Sequence, residues 1–170
     1  MMWSFIQKSI LMLSFRKADQ ADMMLYFEWA NDVDVRKQSY QTSSISLEEH
    51  KEWFLKKIND SNSLMLLFEN EAKVPVGQVR FQKENEKVYV IGISLAKEFR
   101  GKGLARTVLL MASDHFFTIF PGYIIYAYIK KTNAESVRSF TKAGFVFENT
   151  LMIKSSESVL YIKHKKNADS

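Results

Sequence analysis

The residues best suited to chemistry by type and spacing lie in Ile93-Ser94-Leu95-Ala96-Lys97-Glu98-Phe99-Arg100-Gly101-Lys102-Gly103-Leu104-Ala105. An apolar run passes into a turn with two glycines and two basic residues, and that turn opens into a strongly apolar helical stretch. A helix N-terminus leaves backbone N–H groups unpaired and carries partial positive charge. Glycines let such a backbone approach a ligand closely and take positive φ. Together these features make an anion site suited to a pyrophosphate, with Arg100 and Lys102 adding fixed charge. The spacing is not GxxxxGK[ST], so this is no Walker A loop, and it is not GxGxxG, which argues against a dinucleotide fold. A basic helix-capping turn on the surface has the same local composition. Its place between an apolar strand and an apolar helix is what favours a ligand site.

Four other side chains carry chemistry. His50 shares a helix face with Leu47, Phe54 and Ile58 at three- and four-residue spacing, so its imidazole points inward. Two readings stand: a hydrogen-bonded core histidine, or a base facing an acceptor cleft beside Tyr40, for which its ordinary pKa of about 6.5 is suited. Arg80 lies on a strand that alternates Gln78, Arg80 and Gln82 against Val79 and Phe81. It belongs to a solvated edge-strand face or contacts a diphosphate or a uracil. Tyr126 and Tyr128 share one face of a strand; Tyr126 reads as packing, and Tyr128, nearer the C-terminal end, is the reserve acid or base. No metal site is expected, because cysteine is absent and His115 and His164 have no partners at metal-ligand spacing.

These residues must be positioned by a rather small chain. Its 170 residues fit one domain, with a core over about 12–164, a lead-in at 1–11 (or a start at Met12) and a frayed tail at 165–170. A composition 46% hydrophobic and 25% charged excludes a disordered chain or a coiled coil. No stretch nears the ~20 apolar residues of a membrane span, and no cleavable leader pattern is present, so the expectation is a cytoplasmic protein with no membrane partner. A net charge of +5 suggests an anionic partner. The basic residues are spread along the chain without interleaved aromatics, which argues against nucleic acid.

Periodicity predicts a strand at Leu11–Phe15, a helix over Ala21–Asn31 and a long polar loop over Asn31–Ser44. A helix over Leu47–Ile58 follows, opened by the capping box Ser46/Glu49. Strands follow at Leu64–Phe68, Val76–Gln82 and Val88–Leu95, then a helix over Leu104–Phe117, a central strand at Tyr123–Ile129 and a helix over Asn133–Ala143. Strands near Phe147–Ile153 and Val159–His164 close the chain. The order βααβββαβαββ makes an α/β domain around one mixed sheet.

Arg100-Gly101-Lys102-Gly103-Leu104-Ala105 matches the [RQ]-x-x-G-x-[GA] signature of the GNAT superfamily of acetyl-CoA-dependent N-acetyltransferases. Asn133-Ala134-Glu135-Ser136 and Phe140-Thr141-Lys142-Ala143-Gly144-Phe145 resemble its second block. The resemblance spans about Leu13 to Lys163. It implies the GNAT fold, a single mixed, mostly antiparallel sheet with splayed central strands flanked by helices, and acetyl-CoA as co-substrate. It places the coenzyme A pyrophosphate on the glycine turn and the pantetheine arm along Ile93, Ser94 and Leu95, with Leu104 and Ala105 opening the helix. Asn133, Ser136 and Phe140 would line the same cleft. The chain departs from the family at two positions. Phe140 stands where many members carry a tyrosine acid, and Val90 about where many carry a glutamate base.

The segments Trp29–Arg36, Ser39-Tyr40 and Ile45–Phe54, with Val76–Phe81, resemble UDP-4-amino-sugar N-acetyltransferases of the pseudaminic and legionaminic acid pathway type. That resemblance implies a small-molecule amine, in particular a UDP-linked amino sugar, held by Asn31, Tyr40 and Arg80 with His50 nearby. A protein N-terminus, a small amine such as an antibiotic, or a silent acyl-CoA-binding domain are the alternatives. A homodimer is compatible with the sequence.

Overall fold

The computed structural model describes residues 12–166; the expected lead-in and most of the expected tail lie outside them. Seven strands form one sheet in the order β1-β2-β3-β4-β5-β7-β6. In chain order these are β1 Leu13–Lys17, β2 Ser63–Asn70, β3 Pro75–Lys83, β4 Val88–Leu95, β5 Ile124–Lys130, β6 Val146–Ile153 and β7 Ser156–Lys163. The helices are α1 Met23–Ala30, α2 Val33–Gln38, α3 Leu47–Ile58, α4 Leu104–Ile119 and α5 Ala134–Lys142. Every strand pair is antiparallel except β4–β5.

Alternation along the inner strands divides the sheet between two sets of helices. Leu64, Leu66, Val79, Phe81, Tyr89, Ile91, Ala127 and Ile129 point to one face and bury Val108, Leu109, Ala112 and Phe116 of α4 and Phe140 of α5. On the other face Met65 and Leu67 pack with Tyr26 of α1 and Phe54 of α3. Helices α1 and α3 reach the β2 side, so the same face of β3, β4 and β5 is left for Arg80, Gly92, Tyr126 and Tyr128. The predicted helix at Ala21–Asn31 divides into a 3-10 turn over Gln20–Asp22 and α1, because Asp19 and Asp22 form a reciprocal cap there. The capping box at Ser46 and Glu49 forms as the spacing predicts.

Two expectations change. The loop from Asn31 to Ser44 contains α2, opened by Asp32, whose carboxylate accepts from the amides of Asp34 and Val35. Val33 is exposed and no α2 residue is buried, so there was no apolar face to read. Strand β3 is interior, between β2 and β4, so Arg80 is not on an edge strand.

Candidate active site

The sheet opens where β4 meets β5. The two strands pair in parallel only at Val88 with Ile124, Tyr89 with Ile125 and Val90 with Tyr126. Beyond that point β4 stays bonded to β3 as far as Leu95, and β5 stays bonded to β7 as far as Lys130. The segment from Ile91 to Leu95 therefore has no strand on its β5 side, and backbone donors and acceptors there await a partner. This is the expected splay. Burial follows it: Val88 and Tyr89 are buried, whereas Gly92 to Leu95 are only half-buried. Close packing holds the open strand from behind. A Cβ added to Gly77 of β3 would lie 2.6 Å from the Ser94 carbonyl oxygen, so any side chain there would push β3 off β4. Gln78 braces the same strand, its Nε2 donating to Ser94 Oγ at 2.9 Å.

The open strand runs into the glycine turn. Gly101 and Gly103 have φ of 70° and 75°, and a Cβ on either would meet nothing within 4 Å. Their role is therefore backbone conformation beside open space, which is where an approaching anion would lie. Gly103 is the N-cap of α4 and no side chain caps that end, so the first amides of a 16-residue helix remain free for a ligand.

Arg100 departs from its expected part. Its Nε donates to the Leu95 carbonyl at 3.0 Å, and its guanidinium pairs with Asp32 at 3.0 Å and Asp34 at 3.2 Å. The side chain clasps α2 to the glycine turn and is not a free charge for a phosphate. Burial works against the Asp32 charge, but the amides of Val35 and Asp34 and the Arg100 guanidinium outweigh it and hold the carboxyl below its ordinary value. Lys102 has no carboxylate in ion-pair range among the described residues, and its ammonium lies 5.7 Å from the Phe99 ring centroid. Asn133 caps α5 by accepting from the Ser136 amide at 3.2 Å. Phe140 is 4% exposed in the main core and lies edge-on to Phe145.

On the acceptor side the structure withdraws two of the expected residues. His50 is 2% exposed, ringed by Phe27, Trp53 and Phe54. Its Nε2–H donates to the Met23 carbonyl of α1. Burial pushes its pKa down, against the opposing pull of that carbonyl. The core reading holds for His50, and the cleft-facing base does not, because α1 covers the inward face of α3. Asn31 spends its amide as a backbone clamp, accepting from the Ile45 N–H at 2.8 Å and donating to the Ile45 carbonyl at 3.0 Å. It shapes the loop, with both amide N–H groups and one oxygen lone pair engaged by backbone.

Arg80, Tyr40 and Tyr128 do share the cleft face. Arg80 lies across Gly92, where a Cβ would stand 3.3 Å from its Nε, and its guanidinium sits 5.5 Å from the Trp53 ring. The side chain is open to solvent, yet protein crowds it and burial lowers its pKa, with Arg36 adding to that effect. Arg36 donates to the Gln41 and Ser43 carbonyls and to Ser39 Oγ, while its buried Nε finds no partner. Among the described residues neither arginine has a carboxylate in ion-pair range. The Tyr40 hydroxyl donates to Ser158 Oγ at 2.8 Å, fastening the loop after α2 to β7. The Tyr128 hydroxyl donates to Glu84, 3.2 and 3.3 Å from its two oxygens. Sequence reading missed Arg36, Gln78 and Glu84. The first sat in a polar loop, and Glu84 sat in a charged hairpin tip.

A splayed parallel strand pair leading into an uncapped helix N-terminus can take an extended ligand along the open strand with its anionic end on the helix amides. A family model described as "Acetyltransferase (GNAT) domain" matches residues 12–146, and the chain belongs to that family. It is an N-acetyltransferase that uses acetyl-CoA. Spermidine N(1)-acetyltransferase of Vibrio cholerae is 27% identical over 142 residues, covering 82% of both chains. The Escherichia coli K12 enzyme of the same name is 24% identical over 139 residues, covering 81% of this chain and 74% of its own. The crystal structure of the Vibrio enzyme with CoA and spermine superposes with a TM-score of 0.81 at 24% identity, over 89% of this chain and 94% of that one. An aminoglycoside acetyltransferase solved with coenzyme A and kanamycin gives 0.78 at 16% identity, over 91% and 95%. These likenesses establish the fold. No helix among the described residues is long and apolar enough to cross a membrane.

Proposed function

We propose that the chain transfers acetyl from acetyl-CoA to the primary amine of a small molecule that also carries an anionic group, such as a phosphate or carboxylate. The observation behind this reading is Arg80, a solvent-open guanidinium on the cleft face, crowded by protein and by Arg36, with no carboxylate in ion-pair range among the described residues. Guanidinium groups so placed favour planar oxyanions. The acceptor's anionic group pairs with Arg80 while its amine reaches the thioester at the splay. A backbone N–H of the open β4 segment steadies the developing oxyanion, and holding both substrates in one cleft supplies much of the rate.

A polyamine acceptor is the second reading, favoured by the spermidine acetyltransferases among the relatives. The relatives are named for spermidine, for N-alpha-acetylation and for an aminoglycoside, so the nucleotide-sugar expectation has no support from them. The test is thiol release from acetyl-CoA across spermidine, spermine, an aminoglycoside, an amino-sugar phosphate and a UDP-amino sugar. The expected order puts the anionic amines first in kcat/KM. Spermidine as the best acceptor would overturn the charge reading and leave acetyl transfer intact.

A further inference from the structure

Acetyl transfer from a protonated amine needs a group to take the ammonium proton and one to protonate the departing sulfur. At the family's usual places this chain has Val90 and Phe140, and neither exchanges protons. The structure offers an acid–base pair on the cleft face that joins Tyr128, at the splay, to Glu84, on the β3–β4 hairpin beside the first β4–β5 pair. Tyr128 stands two residues beyond the last β4–β5 pair, Val90 with Tyr126, on the face opposite the core residues Ala127 and Ile129. Glu84 follows the last residue of β3, and its amide is fixed to the Val88 carbonyl at 2.9 Å. Among the described residues Glu84 has no cation in ion-pair range, and its carboxylate accepts from Tyr128.

We infer that Glu84 and Tyr128 are the catalytic proton-transfer pair, Glu84 receiving the ammonium proton and the Tyr128 hydroxyl delivering a proton to the coenzyme A sulfur. This rests on the acetyl-transfer reading of the cleft, not on which amine is used. The ammonium gives a proton to Glu84. The neutral amine attacks the thioester carbon and forms the C–N bond. The C–S bond then breaks with its electron pair on sulfur. Tyr128 protonates that sulfur and is reprotonated by Glu84, while the second nitrogen proton passes to solvent. The products are the acetamide, the coenzyme A thiol and one released proton.

The two groups need each other. Burial pushes the Tyr128 phenol up to about 12, with the Glu84 charge and hydrogen bond adding to it. The phenol is thus protonated at neutral pH but a weaker acid than a thiol. The hydrogen bond to Glu84 gives the phenol a partner from which it can be reprotonated once it has given up its proton. Tyr126 faces Tyr128 from its own strand and Tyr40 from the loop after α2. Lys130, next along that face, is committed to the Lys37 carbonyl and the Tyr40 ring.

Two measurements test the pair. With whichever amine the wild type acetylates best, Tyr128→Phe and Glu84→Gln should each lower kcat about 10²–10⁴-fold with acetyl-CoA affinity unchanged. The Glu84→Gln deficit should shrink as pH rises and the free amine no longer needs the base. Independently of any amine, the bound coenzyme A thiol is titrated by its thiolate absorbance. It should ionise at higher pH in Tyr128→Phe than in wild type, because the hydroxyl that hydrogen-bonds the sulfur is gone. A merely structural tyrosine would lower melting temperature and leave both the pH profile and the thiol titration unmoved. Turnover within threefold of wild type in both variants, or an unchanged thiol titration, overturns the pair. Failure of the anionic-acceptor reading shows only in the ranking of amines.

Discussion

The arginine and histidine positions show how far one residue's surroundings decide its role. His50 and Arg80 are both polar residues beside Trp53, but α1 closes over His50, whereas Arg80, packed against Trp53 and Gly92 on one side, stays open to solvent on the other. His50→Gln should therefore cost stability and spare turnover. A buried group left without its partner costs about 1–3 kcal/mol, which lowers Tm by roughly 2–4 °C per kcal/mol in a chain of this size. Near-normal kcat per folded molecule, read beside the thermal melt, is the expected outcome. The same residue gives a pH dependence. Its pKa is lowered in the fold by burial, so on acidification the unfolded chain takes up the proton first. Stability from this source is present above about pH 6.5 and is lost as pH falls below it. A pH series of melts should show that loss flattened in His50→Gln.

At the scale of elements, the site is assembled by how strands end. The glycine turn, the α4 N-terminus and the succession of strands along the chain were legible in the sequence, because two periodicities and a glycine pair mark them locally. The length of the β4–β5 ladder was not, since no local pattern records where a parallel pair stops; the splay came from family resemblance, and the register shows it ending at Val90 and Tyr126. Helix α2 was missed because it buries nothing. Its caps and charges, Asp32 and Asp34 at the start and Arg36 and Lys37 at the end, suit the helix dipole but lack an apolar stripe. Arg100 misled for a related reason: a basic residue beside glycines reads as a phosphate ligand, and its carboxylate partners lie 66 and 68 residues away in sequence. Two predictions separate turn from clasp. Gly101→Asp, which sets a side chain at a φ of 70° and a negative charge at the anion site, should weaken acetyl-CoA at least about tenfold. Arg100→Ala should leave acetyl-CoA affinity within about threefold by calorimetry, while releasing α2 and raising KM for the amine. Equal losses of cofactor affinity in both variants would put Arg100 back on the phosphates.

Over the whole molecule, charge and architecture point the same way. The net charge is +5, and on the cleft face the Arg80 guanidinium, with Arg36 near enough to act on it, has no carboxylate in ion-pair range among the described residues. Such a field draws anions and repels polycations, and its reach is limited to about 10 Å at 0.1 M salt. For an anionic amine, kcat/KM should fall as ionic strength rises; for spermidine it should rise or stay flat. Arg80 is the residue through which that preference is set locally. It lies over Gly92 of the open strand and against Trp53, so reversing its charge changes the acceptor side and leaves the glycine turn untouched. A charged hydrogen bond contributes about 1.5–3 kcal/mol, so Arg80→Glu should lower kcat/KM for an anionic amine roughly ten- to hundredfold. The same change should raise kcat/KM for spermidine, because a carboxylate now stands where a guanidinium repelled it. Arg80→Lys keeps the charge but loses the planar contact with Trp53, and should fall between the two. If Arg80 only braces the sheet, the Glu variant will depress every acceptor by the same factor and lower Tm, with no change in their ranking. Only a crossover between acceptors, at constant acetyl-CoA affinity, assigns the preference to this one side chain.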